Sequence, residues 1–133
     1  MKSGALTEIR ALASRDLAKA KAGADALGIS KTYGSYEELL ADPEIEVIYN
    51  PLPNHLHVEW TARAARAGKH VLCEKPIALT ASEAETLLSV RKETGKIIAE
   101  AFMVRSHPQW QQARAWIVSG RIGELVSVQA GFS

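Results

Sequence analysis

The sequence predicts an α/β fold: a doubly wound parallel sheet that lacks its first strand and glycine-rich loop, followed by the first strand of an antiparallel second domain. Three observations carry this reading. Short apolar runs alternate with longer segments of helical period between residues 8 and 118, the pattern that builds a parallel sheet with crossover helices. No G-x-G-x-x-G occurs in the 133 residues and no strand is expected before Glu8, whereas a dinucleotide-binding sheet of this kind carries those glycines after its first, central strand. From Glu124 the period becomes two: Val126, Val128, Ala130 and Phe132 alternate with Ser127, Gln129, Gly131 and Ser133, a strand with one wet face. The sequence is thus expected to start about one strand and one helix late and to stop one strand into a second domain, with the boundary between 121 and 122.

The first strand expected is Glu8 to Ser14, built on Ile9, Ala11, Leu12 and Ala13. A helix over Asp16 to Leu27 follows, because Leu17, Ala20, Ala24 and Leu27 share one face and Gly28 supplies a stop. Ser35 to Ala41 reads as a second helix, capped by Ser35 and ended by Asp42-Pro43. Glu46 to Asn50 is a strand, and the turn Pro51-Leu52-Pro53-Asn54 leads into a helix from about His55 to Ala67, closed by Gly68. In His70 to Glu74 the consecutive Val71, Leu72 and Cys73 predict a strand buried on both faces. Thr80 and Glu83 have capping-box spacing for a helix over Ala81 to Thr94 that closes at Gly95. Lys96 to Ala101 is a further strand, and Pro108 to Val118 a helix with Trp110, Ala113 and Ile117 on one face.

Composition narrows the function classes. The 16 Lys and Arg against 15 Asp and Glu leave a net charge of +1, so no large field draws the protein to nucleic acid or an anionic membrane. Cys73 is the only cysteine, which excludes an intrachain disulfide and a cysteine-built zinc site and fits a reducing, cytoplasmic compartment. No apolar run approaches the roughly twenty residues that span a bilayer. His55 and His57 diverge on a helix and have no further ligands at suitable spacing, so no metal is expected. Arg63, Arg66 and Lys69 read as a solvated helix face, and Trp110 and Trp116 as packing residues.

The polar residues of interest cluster after the predicted strands: Ser14 and Arg15, Asn50 to His57, Glu74 and Lys75, and Glu100 to His107. If the strands are parallel and adjacent, their carboxyl ends share one edge, which is where ligands bind in open sheets. The runs Pro53-Asn54-His55-Leu56-His57, Ala67 to Pro76 (AGKHVLCEKP) and Glu100 to Trp110 (EAFMVRSHPQW) resemble the glucose-fructose oxidoreductase, inositol dehydrogenase and rhizopine-catabolism (Gfo/Idh/MocA) family, over essentially the whole sequence. The last run is most similar to the dihydrodiol and xylose dehydrogenase branch. The resemblance implies a truncated, Rossmann-like NAD(P)-binding domain over 1–121 and the start of a substrate and oligomerisation domain over 122–133. It also implies hydride transfer between the cofactor and a sugar, polyol or diol carbon, by a protein that is a homo-oligomer in its full-length form.

Ser14-Arg15 stands where such a fold selects its cofactor. An acidic residue there accepts from the ribose of NAD, whereas a hydroxyl and a guanidinium suit the 2′-phosphate, so NADP is expected over NAD. Arg15 is equally readable as a surface residue opening a helix, next to Asp16 placed for the helix dipole. The resemblance places Asn50, Pro53, Asn54 and His57 beside the cofactor, although Asn54 is also a credible helix cap and a lone histidine there is commonly structural. It makes Lys75 the proton-handling residue, with His57 as a second catalytic candidate. Glu74 either orients the lysine or binds the nicotinamide ribose, and Pro76 fixes the turn. Partial desolvation of Lys75 under cofactor and second domain would suit it to proton transfer. Arg105 either contacts the cofactor or pairs with Glu100. Two other readings stand beside the enzyme: a non-catalytic module that senses a dinucleotide or sugar, or dimerises, and an inactive truncated product. Retention of Glu74-Lys75-Pro76 favours the enzyme, since a sensor has no use for a proton-transfer lysine.

Overall fold

The computed structural model describes residues 3–4 and 7–131. It divides into two compact units, Met1–Glu100 and Ala101–Ser133. The first unit opens with a two-residue antiparallel bridge between β1 (Ser3–Gly4) and β2 (Thr7–Glu8), so a strand does precede Glu8. The expected run from Glu8 to Ser14 is therefore split, and its second part is β3 (Ala11–Ala13). That strand pairs in parallel with β4 (Lys31–Tyr33), Ala11 opposite Lys31 and Ala13 opposite Tyr33. Apolar patterning gave no sign of β4, whose three residues include a lysine and a threonine and whose order comes from backbone pairing.

Between them, α1 (Leu17–Leu27) is capped by Asp16, whose Oδ1 accepts from the N–H groups of Ala18 and Lys19 at 2.9 and 3.3 Å. The helix lies close on the sheet: a methyl on Gly23 would stand 2.9 Å from Leu12 Cδ2. It ends at Gly28, whose φ of 68° is the left-handed conformation that glycine adopts without penalty. α2 (Tyr36–Ala41) starts at Ser35, whose hydroxyl accepts from the Glu38 N–H at 3.1 Å, and ends at Asp42.

Asp42 ties this half together. Its carboxylate accepts from Tyr33 Oη at 2.6 Å, Lys31 Nζ at 3.0 Å and the Glu44 N–H at 2.9 Å, and its backbone carbonyl accepts from the buried Lys69 Nζ at 2.6 Å. Lys69 is thus no part of a solvated face. It follows Gly68, past the end of the preceding helix, so the chain turns it inward, whereas Arg63 and Arg66 stay outside and pair with Glu37, Glu59 and Glu93. The Tyr33 hydroxyl, the Glu44 N–H and Lys31 together hold the Asp42 carboxyl down, from its ordinary 3.8 to about 2. A value depressed in the folded state stabilises above the ordinary value and is lost as pH falls through the folded one. Asp42→Asn is therefore expected to remove part of the acid-unfolding limb between pH 3.8 and about 2. An unchanged limb, followed by circular dichroism, would contradict this network.

A second sheet has the order β5 (Val47–Asn50), β6 (His70–Glu74), β7 (Ile98–Ala101). β5 and β6 run parallel, with Ile48 opposite Val71 and Asn50 opposite Cys73. After β5 a 3-10 turn (Asn54–Leu56) feeds α3 (His57–Arg66), so the helix starts two residues later than the period implied. After β6 comes α4 (Ala81–Thr94), where the Thr80 hydroxyl accepts from the Glu83 N–H at 3.2 Å and Glu83 Oε2 accepts from the Leu79 N–H at 2.7 Å. The core joins Ala62 and Ala65 of α3 to Leu87 and Val90 of α4, and Ala64 to Val71 and Cys73. Only one face of β6 is covered: Leu72 is 38% exposed, on the same side as the exposed Val47 and Tyr49, which corrects the expectation of burial on both faces.

β3 and β5 do not pair with each other. An apolar hollow of about 100 Å³ touches both, lined by Ala13, Ile48, Tyr49 and Leu52 among others. In a doubly wound sheet the strand expected to be lacking would run between these two.

The second unit holds a 3-10 turn (Met103–Arg105) and α5 (Pro108–Val118), whose first turn is capped by His107 Nδ1 accepting from the Gln109 N–H at 3.2 Å. Trp110 and Trp116 are exposed, with the Arg121 guanidinium 5.1 Å over the Trp116 ring. The strand expected from Glu124 is not formed among the described residues 124–131, and Phe132 and Ser133 lie outside them. An alternating pattern becomes a strand only when a neighbouring strand takes its hydrogen bonds, and none of the described residues does so.

Candidate functional site

Three turns of the first unit meet at the carboxyl ends of its strands. The hollow between β3 and β5 touches Ala13, the last residue of β3, and also Asn50 to Leu52 at the end of β5, which places these two ends on one side. The third turn, after β6, is joined to the second through His57. Its Nδ1 is 2.7 Å from the Pro76 carbonyl oxygen and its Nε2 is 2.6 Å from that of Leu52.

On the first turn, Ser14 continues the ladder by donating its N–H to the Tyr33 carbonyl at 3.2 Å, and its hydroxyl accepts from the Asp16 N–H at 3.3 Å. Arg15 is exposed and, among the described residues, takes part in no ion pair. On the second turn, Asn50 is buried. Its amide donates to the His57 carbonyl at 3.3 Å and to the Thr61 hydroxyl at 3.1 Å, and its Oδ1 accepts from the Leu52 N–H at 3.2 Å. Pro53 and Asn54 are exposed, and the Pro53 carbonyl accepts from the Leu56 N–H at 2.8 Å. His57, expected at the cofactor, is 0% exposed with both ring nitrogens engaged, and Asn50 has likewise turned its polar atoms inward. Both shape the turn from beneath and neither reaches its surface.

On the third turn, the Glu74 carboxylate accepts from Tyr49 Oη at 2.6 Å and from the Lys75 N–H at 3.3 Å. The Tyr49 hydroxyl and then the Lys75 N–H hold the Glu74 carboxyl below the usual carboxylate range, and the same carboxylate pushes the Tyr49 phenol up. Lys75 itself is exposed, followed by a cis peptide to Pro76. Its expected desolvation is thus not supplied by the first unit. Glu100 accepts from the Ile77 N–H at 2.9 Å, which secures the same turn from the end of β7. Arg105 belongs to the second unit, where it is exposed at the end of the 3-10 turn. Among the described residues no group of acidic, cysteine or histidine side chains is placed to hold a metal.

The pattern of the oxidoreductase family with NAD-binding Rossmann fold, GFO_IDH_MocA, matches residues 1–102. The chain belongs to this family. As a family member it is 56% identical over 126 residues to an uncharacterized oxidoreductase, ORF334, of Rhizobium meliloti, covering 95% of this chain and 38% of that protein. It is 48% identical, with the same coverage, to D-xylose 1-dehydrogenase (NADP(+)) 2 of Haloferax volcanii. Its fold superposes with a TM-score of 0.81 on KijD10, a 3-ketoreductase from Actinomadura kijaniata in complex with TDP-benzene and NADP, at 41% identity over 92% of this chain and 39% of that one. The chain therefore spans well under half the length of these relatives. The Rossmann assignment made from strand and helix alternation holds.

Two members of the site escape sequence reasoning. Tyr49 reads as an apolar strand residue, yet it pairs with Glu74. The signal lies in the register: Tyr49 is opposite Leu72, so Glu74, two residues on, is its diagonal neighbour on the same face. Thr61 holds Asn50 from the second turn of α3, eleven residues away, a contact that only the folded turn creates.

Proposed function

We propose that this chain is the cofactor-binding part of an NADP-dependent oxidoreductase that moves a hydride between the nicotinamide and a sugar, polyol or diol carbon, with Lys75 handling the proton. The observation that carries the reading is the meeting of three strand-end turns, with Lys75 exposed beside a Glu74 carboxylate already fixed by Tyr49 and a backbone N–H. The donor set suits the cofactor. Arg15 and the Ser14 hydroxyl offer charge and hydrogen bonds to the 2′-phosphate, and Pro53, Asn54 and Glu74 would lie along the nicotinamide and its ribose. Arg105 would add a contact from the second unit.

NADP would supply or take up the hydride when bound. The chain's own contribution is a positioned ammonium: Lys75 Nζ gives a proton to the substrate oxygen in reduction and accepts it in oxidation. Glu74 keeps the lysine backbone in place. Asn50 and His57 act through the turns they hold. A lone cysteine, buried and free, supports a cytoplasmic setting. The exposed apolar side chains Val47, Tyr49 and Leu72 supply area for further packing in a homo-oligomeric full-length form.

Arg15 provides the test of cofactor choice. A hydrogen bond to a charged group is worth about 1.5–3 kcal/mol, so Arg15→Asp in the full-length protein is expected to cut the preference for NADP over NAD roughly ten- to hundredfold in kcat/KM, measured with xylose, glucose and diols. An unchanged preference would remove Arg15 from the 2′-phosphate site, and no turnover of any of these substrates by the unaltered protein would refute the reaction class.

A further inference from the structure

Glu74 and Lys75 are adjacent, opposite in charge and long enough to meet, yet among the described residues neither takes part in an ion pair. The carboxylate is engaged elsewhere. Its Oε1 accepts from Tyr49 Oη at 2.6 Å and its Oε2 from the Lys75 N–H at 3.3 Å, so one oxygen is tied to β5 and the other to the turn after β6. An O–H···O⁻ bond of the first length is of the strong, charge-assisted kind, whereas an exposed carboxylate–ammonium pair adds little. The phenol therefore wins the carboxylate. The same hydroxyl, ahead of the Lys75 N–H and the Lys75 charge, keeps the Glu74 carboxyl below the usual range. Tyr49 is 44% exposed, so water would satisfy its hydroxyl equally well, and the side chain's own burial does not call for this bond. An ionised carboxylate has about four lone-pair sites, and these two bonds leave room on Glu74 for further donors.

We propose that Tyr49 is a positioning residue that holds the Glu74 carboxylate away from the Lys75 ammonium, leaving the lysine to the substrate and the carboxylate to a ribose hydroxyl. The use made of the two groups rests on the oxidoreductase reading; their separation does not. The sheet supplies the geometry. Tyr49 stands opposite Leu72, and Glu74, two residues further along β6, is its diagonal neighbour on the same face, within reach of a long side chain. Phenylalanine at 49 would keep the ring and remove only the donor. The carboxylate would then be free to rotate about its own side-chain bonds onto the ammonium, and a Glu74–Lys75 pair would compete with cofactor and substrate at once.

The experiment is a pair of double-mutant cycles. The first reads the NMR shift of the Glu74 carboxyl carbon in the ¹³C-labelled 133-residue chain. With Tyr49 present, Lys75→Met is expected to leave that carbon nearly where it was; in Tyr49→Phe it is expected to move it clearly, because the carboxylate has by then turned to the ammonium. An equal response to Lys75→Met with and without the phenol hydroxyl would overturn the proposal. The second cycle reads the Kd for NADP of the full-length protein. Tyr49→Phe is expected to weaken binding about three- to tenfold, the usual worth of one hydrogen bond, and to cost nothing further once Glu74→Gln is in place, since the hydroxyl acts through that carboxylate. The same loss in both backgrounds would also overturn it. No binding of NADP by the unaltered full-length protein would refute the oxidoreductase reading, while the carboxyl-carbon cycle would still decide whether Tyr49 keeps the two charges apart.

Discussion

Lys75→Met in the full-length protein is expected to lower kcat by about 10²- to 10⁴-fold, the usual worth of a positioned acid or base, with KM for NADP nearly unchanged. The methionine keeps the length and apolar stem of the lysine but has no proton to give. Lys75 is exposed, and its backbone N–H, which methionine retains, is what holds the Glu74 carboxylate. The turn should therefore survive the substitution, and the loss should fall on the chemical step. A residue that only bound the cofactor would show the opposite split, a raised KM with kcat preserved. Steady-state kinetics at saturating NADP decide between them, and undiminished kcat would take Lys75 out of the mechanism.

Asn50→Leu should be the most destabilising change at the site. The side chains are close in size, so packing is little altered, but the substitution takes the side-chain partner from the Leu52 N–H and one partner each from the His57 carbonyl and the Thr61 hydroxyl. An orphaned buried group costs about 1–3 kcal/mol, so a loss of about that size is expected in urea unfolding. Thr61→Val removes one of the three partners and should cost correspondingly less. If Asn50→Leu left the midpoint unchanged, the amide would not be what shapes the Pro51–Asn54 turn.

The helices were readable from their ends. Ser35 and Thr80 cap as their type and position imply, Asp16 caps the helix it was expected to open, and Gly28 and Gly95 each close a helix in the left-handed conformation, because caps and stops are local chemistry. Pairing is not local. β4 has no apolar period to announce it, and the two-residue bridge at Ser3–Gly4 has none either. Leu72 looked buried because Val71 and Cys73 flank it, but burial of its face depends on what lies against that side of the sheet. Lys69 misled for a related reason: its charge predicts solvent, yet the turn at Gly68 carries it to a buried carbonyl of Asp42.

At the site, the turns that carry the polar residues were legible from their place after strands, but which side chains turn outward was not. Arg15, Asn54 and Lys75 are exposed. His57 and Asn50 share a turn and a polarity with Asn54 but point into the protein, where the prolines around them leave backbone groups in need of partners. Sequence spacing says that a residue is on the turn; the helix that follows decides on which side.

The most direct test of the shared site is a titration of the ¹⁵N-labelled chain with NADP at millimolar concentration, read as amide shifts across the first unit. The account predicts perturbations concentrated at Ser14 and Arg15, at Asn54, and at Glu74 and Lys75. Shifts confined to other surfaces, or to one of these three turns alone, would contradict it.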